Sequence, residues 1–249
     1  MLKKNSKAGR SESRPRASVL IQLQAANTPV AALGDAAILE TRKVALFCSV
    51  KCPGEPIVQA YDFARAVRDA GITVISGFQS PIEKDCLELL LRGTQHVIVC
   101  PARSLHSMRL PTPWRTAIRQ GRLLLLSPFA EHFRRPTVEL SEQRNRFVAT
   151  LADEVLFAYA NPGGKTEALA RKVFECGKPV FTFDSKENTN LVALGARVVG
   201  TAELSSKFWL TPLTADRGER VADNRRPRIR QLPYKIKRNN IDNFVEKLL

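Results

Sequence analysis

Apolar residues recur along this chain in short unbroken runs that alternate with longer stretches of helical spacing. Residues 43–50 (KVALFCSV) are almost wholly apolar, as a strand buried on both faces must be. In 57–70, Val58, Tyr61, Phe63, Ala64 and Val67 return at helical intervals until Gly71 stops the pattern. The same reading predicts a strand at 72–76, a helix at 81–92 with Ile82, Cys86, Leu89 and Leu90 inward, and a strand at 96–100. A helix at 114–120, a strand at 123–127, and a helix at 138–152 carrying Leu140, Phe147, Val148 and Leu151 follow. The pattern closes with a strand at 155–160, a helix at 166–176, a strand at 179–183 and a short strand at 196–199. Strands joined by helical crossovers predict an α/β, Rossmann-like, doubly wound and mostly parallel sheet with helices on both faces. Ligands of such sheets bind beyond the carboxyl ends of the strands, where loops enter helix N-termini.

Composition narrows the class. With 249 residues, 44% hydrophobic and 25% charged, the chain has enough apolar material for one sizeable core, which excludes disorder throughout. No run approaches the roughly 18 apolar residues of a membrane span, and the first ten residues are basic and polar, so the expectation is a soluble cytoplasmic protein without membrane contact. The five cysteines, at 48, 52, 86, 100 and 176, form no Cys-x-x-Cys pair, and His96, His106 and His132 are not spaced to complete a metal site. Reduced thiols, no metal and no cofactor are expected.

The net charge of +15 is unevenly spread: +5 falls on residues 1–20, +6 on 217–249, and only +4 on 21–216. This predicts a basic disordered arm over 1–29, a folded domain over 30–210 and a basic tail over 211–249. In the tail Pro227 and Pro233 interrupt helix, and a short terminal helix resumes after Asn240 with Ile241, Phe244, Val245 and Leu248 on one face. Basic arms gain affinity for phosphate backbones by releasing counterions; the plainer role is solubility or localisation. Within the core, residues 101–146 hold nine Arg and three acidic residues.

Two strand-to-helix loops are candidates for an anion. Ser76-Gly77-Phe78-Gln79-Ser80-Pro81 offers a Gly for close approach, Ser80 as N-cap and Pro81 at the first helical position, an arrangement that leaves backbone N–H groups for a ligand. Asn161-Pro162-Gly163-Gly164-Lys165-Thr166 offers a Gly-Gly curl, with Lys165 and Thr166 at a helix start. Gly164-Lys165-Thr166 matches the end of a Walker motif, but Tyr159 stands where that motif needs its first Gly, which argues against a nucleotide triphosphatase. Tight turns without a ligand are the plainer reading of both loops. Arg144-Asn145-Arg146, preceded by Arg134 and Arg135, adds guanidinium forks suited to phosphate and an Asn able to bond a base, ribose or phosphate. A solvated helix face is the alternative for one of these arginines.

These motifs, in this order, resemble the DNA-processing protein A (DprA, Smf) family within the wider DprA/LOG group. The resemblance spans about residues 30–200 and rests on Gly34-Asp35, on Gly71-Ile72-Thr73-Val74-Ile75-Ser76-Gly77, on Arg144-Asn145-Arg146-Phe147-Val148-Ala149 and on Gly177-Lys178-Pro179-Val180-Phe181. The chain departs from the family pattern after the first strand, where Cys48-Ser49-Val50-Lys51 replaces Gly-Ser-Arg, and after Ser76-Gly77; Lys51 or Lys84 would then stand in for a missing Arg. The resemblance implies a divergent, minimal member that binds single-stranded DNA along a basic groove in DNA processing, recombination and natural transformation. It also implies a RecA-type recombinase as partner, a homo-oligomer and no catalysis. The DNA- or phosphate-binding candidates are Ser76, Gly77, Gln79, Ser80, Arg144, Asn145, Arg146, Gly163, Gly164, Lys165 and Thr166, with Phe78, Trp114 and Phe129 as secondary stacking candidates. The rival is a LOG-like nucleotide phosphoribohydrolase, since Pro162-Gly163-Gly164 with Thr166-Glu167 is similar to that group's loop, although shortened. A third reading is a module that senses a nucleotide without catalysis.

Overall fold

The computed structural model describes residues 19–22 and 29–200. The expected arm up to residue 18, the basic tail and its terminal helix lie outside the described residues. The elements are β1 (Val19–Gln22), β2 (Pro29–Leu33), β3 (Lys43–Cys48), α1 (Gly54–Asp69), β4 (Thr73–Ser76), α2 (Pro81–Leu91), β5 (Val97–Val99) and α3 (Thr112–Arg119). They continue with β6 (Leu123–Ser127), α4 (Val138–Leu151), β7 (Glu154–Tyr159), α5 (Lys165–Glu175), β8 (Val180–Phe183), α6 (Thr189–Ala193) and β9 (Arg197–Val199).

The strands form a nine-stranded sheet in the order β1-β2-β6-β5-β4-β3-β7-β8-β9. From β6 to β9 every neighbouring pair is parallel, whereas β1 pairs antiparallel with β2, and β2 with β6. The Rossmann-like, mostly parallel sheet is therefore as expected, with an antiparallel margin that extends it N-terminally into residues 19–22, inside the segment assigned to the arm.

The parallel strands from β3 to β8 are buried along their whole length and mostly apolar, because both faces are covered. Val44, Leu46, Val74, Val97, Leu123 and Phe181 face α1, α2 and α3. The alternate residues Ala45, Phe47, Ile75, Ile98, Leu124 and Phe157 face α4, α5 and α6, and the rings of Phe47 and Phe157 stack 5.4 Å apart. One-residue alternation between two packed faces is what a strand at the centre of three layers requires. The entry to the sheet depends on Gly34: its φ of +125° lies in the left-handed region, and a Cβ there would strike the Leu123 carbonyl. Asp35 then caps the following turn by accepting from the Ala37 N–H at 3.0 Å.

The chain winds outward from β3 through β4 and β5 to β6, then α4 carries it back across to β7 on the other side of β3. The switch point is thus the crevice between the carboxyl ends of β3 and β7, where such sheets place their ligands. Among the described residues no helix is long and apolar enough to cross a membrane.

Candidate nucleic-acid interface

Three loops meet at this end of the sheet, those after β3, β4 and β7. The loop after β4 begins at Ser76, whose buried hydroxyl donates to the Leu46 carbonyl at 2.7 Å and accepts from the Phe78 N–H at 3.2 Å. Phe78 follows at a φ of +47°, an uncommon conformation for a bulky residue, with its ring buried in the core. Ser80 caps α2, and Glu83 closes a capping box with it. The Glu83 carboxylate also accepts from the Cys48 N–H at 2.9 Å, the Gln79 N–H at 2.8 Å and the Ser80 N–H at 3.3 Å.

That carboxylate changes the expected role of the loop. The backbone N–H groups of Phe78, Gln79 and Ser80, expected to receive a ligand, are instead taken by Ser76 and Glu83. Glu83 is buried, and burial pushes its carboxyl above the usual range, opposed by the Arg144 charge and the N–H bonds. The Cys48 thiol beside it is held far up, first by its hydrogen bond with Cys52 and then by burial, which leaves it a poor nucleophile.

Arg144 sits in the middle of α4 and is also buried, at 2% exposure. Its Nη1 donates to the Cys100 carbonyl at 2.9 Å, Nη2 to Gln79 Oε1 at 2.8 Å and Nε to Asn145 Oδ1 at 2.7 Å. Burial lowers its pKa, and the nearby Glu83 opposes that shift. The fork predicted for phosphate is therefore engaged with protein acceptors on all three of its nitrogens. Gln79 is exposed, and its Oε1 also accepts from the Ser141 hydroxyl at 3.2 Å. Arg146 is half-exposed, and its guanidinium has no hydrogen-bond or ion-pair partner among the described residues.

The loop after β7 is joined to the loop after β3 by Ser49, whose N–H donates to the Tyr159 carbonyl at 3.0 Å and whose hydroxyl accepts from the Asn161 N–H at 3.0 Å. Gly163 has a φ of +70°, and its N–H donates to Glu167 Oε2 at 3.1 Å; Gly164 donates to the Asn161 carbonyl at 2.9 Å. Asn190 donates to Glu167 Oε2 at 2.7 Å and Arg171 to Oε1 at 3.3 Å. Those bonds, with the Asn190 amide foremost, hold the Glu167 carboxyl below the usual range. Lys165 lies 2.6 Å from Glu142 on α4, while the Thr166 hydroxyl carries no hydrogen bond among the described residues. Helix α4 therefore reaches both loops, through Ser141 and Arg144 on one side and Glu142 on the other.

An open cavity of about 510 Å³ at the start of α4 has His132, Phe133, Arg134 and Arg135 in its wall, with Glu139 as its one carboxylate. Phe133 is exposed, with the His132 ring 4.0 Å away and the Phe129 ring 6.2 Å away. Of the aromatic candidates read from sequence, Phe78 and Phe129 are buried and Trp114 is half-buried. Phe133 was missed because only its place on a basic loop distinguishes it from other phenylalanines. Lys51 and Lys84 are exposed. Among the described residues, no group of three or more His, Cys, Asp or Glu side chains comes together as for a metal.

A doubly wound sheet with three loops gathered at its switch point, and an arginine-lined cavity at the start of the helix that contacts two of them, has the layout of a Rossmann-like nucleotide- or nucleic-acid-binding domain. The chain belongs to the DNA recombination-mediator protein A family, whose sequence profile matches residues 15–208. Its fold is similar to that of DNA processing protein A from Helicobacter pylori, a protein described for its single-stranded DNA binding mode, at 21% identity and a TM-score of 0.59 over 78% of this chain and 90% of that one. It is also similar to DNA processing protein A from Streptococcus pneumoniae, at 20% identity and a TM-score of 0.59 over 73% of this chain and 65% of that one. No curated protein sequence matches it significantly.

Proposed function

We propose that this protein binds single-stranded DNA across the loops at its β3–β7 switch point and acts in DNA processing and recombination. The observation that carries this reading is the arginine-lined cavity at the start of α4, the helix that contacts two of those loops, in a chain of the DNA recombination-mediator protein A family. Arg134, Arg135 and Arg146 supply charge for phosphates, and exposed Phe133 supplies a ring on which a base can stack. Backbone charge combined with stacking, and little base reading, is how single strands are held without strong sequence preference. Residues 96–130 contain five Arg and no acidic residue, which supports a wider positive surface leading to the cavity.

The same reading assigns Gln79, Asn145, Lys165 and Thr166 to the ligand side of the site. Ser76, Gly77, Ser80, Gly163 and Gly164 shape the loops that carry them. A RecA-type recombinase as partner, self-association and a cytoplasmic location belong to this proposal as well. The phosphoribohydrolase reading is not favoured. It needs Glu167 to exchange a proton with a nucleotide, yet this carboxylate is engaged by Gly163, Asn190 and Arg171 and is held below its usual pKa, which suits a loop clamp better than a general acid.

Fluorescence anisotropy with labelled single-stranded DNA tests the proposal. Saturable binding that is weakened when Arg134, Arg135 and Arg146 are replaced by Gln is expected. Absence of binding at low salt, or binding that ignores these substitutions, overturns it.

A further inference from the structure

We propose that Gln79 and Asn145 grip the DNA backbone through their side-chain NH2 groups, and that buried Arg144 is the positioning residue that turns both amides outward. This rests on the single-stranded DNA reading above and identifies how the site makes uncharged contacts.

A carboxamide presents an acceptor oxygen and a donor NH2 on opposite sides, and in isolation either side can face a ligand. Here the choice is made by one guanidinium. Arg144 Nη2 donates to Gln79 Oε1 at 2.8 Å, and Arg144 Nε donates to Asn145 Oδ1 at 2.7 Å. Arg can only donate, so it accepts no amide in the flipped orientation. The Ser141 hydroxyl, 3.2 Å from Gln79 Oε1, holds the same orientation. Flipping either amide would place NH2 against a buried cation and leave guanidinium donors without an acceptor, a costly arrangement. Gln79 Nε2 and Asn145 Nδ2 have no hydrogen-bond partner among the described residues. Gln79 is exposed and Asn145 half-exposed, so water or a ligand can reach these groups.

The neighbouring donors are already engaged. Glu83 takes the Gln79 and Ser80 N–H groups, Ser76 takes that of Phe78, and Arg144 Nη1 is directed to the Cys100 carbonyl. What the loop after β4 and the adjoining face of α4 present is therefore a pair of neutral amide donors fixed by an internal cation. Their complement is a ligand surface of acceptors only, which describes the nonbridging oxygens of a phosphodiester chain. Neutral donors displace no counterions, so their contribution persists as salt rises, unlike that of the exposed arginines.

Gln79→Glu and Asn145→Asp separate this role from a structural one. Each retains the oxygen that accepts from Arg144 and replaces the outward NH2 with an oxygen. A purely structural role is preserved or strengthened, because the new carboxylate pairs with the guanidinium. The experiment measures binding of the full chain to labelled oligothymidylate of about 60 nucleotides over a salt series, with thermal unfolding of the same variants. The expected result is a loss of about tenfold or more for each variant, persisting at high salt, with unfolding temperatures equal to or above that of the parent. Parental affinity in both variants overturns the inference while leaving the binding proposal intact, and so does a loss that vanishes once salt screens charge repulsion. Failure of the parent itself to bind overturns both.

Discussion

The guanidinium of Arg144 occupies the space a side chain would need at Gly77: a Cβ built on Gly77 would lie at or inside 2.5 Å of Cζ, Nη1 and Nη2. The φ of Gly77 is not positive, so the glycine is required here by the approach of the arginine rather than by backbone conformation. Gly77→Ala should expel the guanidinium from its contacts with Cys100 and Gln79. Overpacking together with the lost charged hydrogen bonds should cost about 2–4 kcal/mol, measurable by urea unfolding. Single-stranded DNA affinity should fall in parallel as the two amides lose their orientation.

The exposed arginines should act differently from the amides. Each charge that contacts a phosphate contributes about 0.7 to the slope of log K against log salt for a single strand. Replacing Arg134, Arg135 and Arg146 by Gln should therefore flatten the slope by up to about 2. A salt series on the triple variant checks this, and an unchanged slope would place the DNA elsewhere.

Phe133 should provide a stacking contact. Phe133→Ala should weaken single-stranded DNA binding by about 1–3 kcal/mol, with little change in stability because the ring is exposed and its loop lies outside the sheet core. Equilibrium titration with the same oligonucleotide gives the value.

The two carboxylates of the site should make opposite contributions to stability as pH changes. Glu167 is held below the usual range by Asn190, Gly163 and Arg171. Its contribution should therefore be complete above the ordinary Glu value of about 4.3 and disappear as pH falls through the lowered folded value. Glu83 is held above that range by burial, so its contribution is greatest when protonated and declines as pH rises from about 4.3 towards the raised value. Unfolding free energies measured against pH for the parent, Glu167→Gln and Glu83→Gln should show differences of opposite slope.

The order of strands and helices was legible because the central strands are short, mostly apolar runs, and because Gly71, Ser80-Pro81 and Gly177 mark the helix boundaries. The antiparallel margin was not. Pro29–Leu33 is short, is followed by Gly34, and pairs with β6 across more than ninety residues of sequence, a distance that local periodicity does not register. At the site, the sequence brought out Arg144 and the loop at Gly77 but not their relation. Charge alone suggested a fork open to phosphate, whereas burial makes Arg144 an internal donor to Gln79, Asn145 and Cys100. Nothing in local spacing shows that Glu83 reaches back to the Cys48 N–H on another strand. Ser49 likewise joins two loops that lie 112 positions apart.

The folded site, rather than net charge alone, should recognise a single strand. The most direct measurement compares the affinity of the full chain for single-stranded and duplex DNA of equal length over a salt series. Binding to the single strand should be tighter, with a preference that survives at salt high enough to suppress most electrostatic attraction. Equal affinity for both forms, lost together as salt rises, would contradict it.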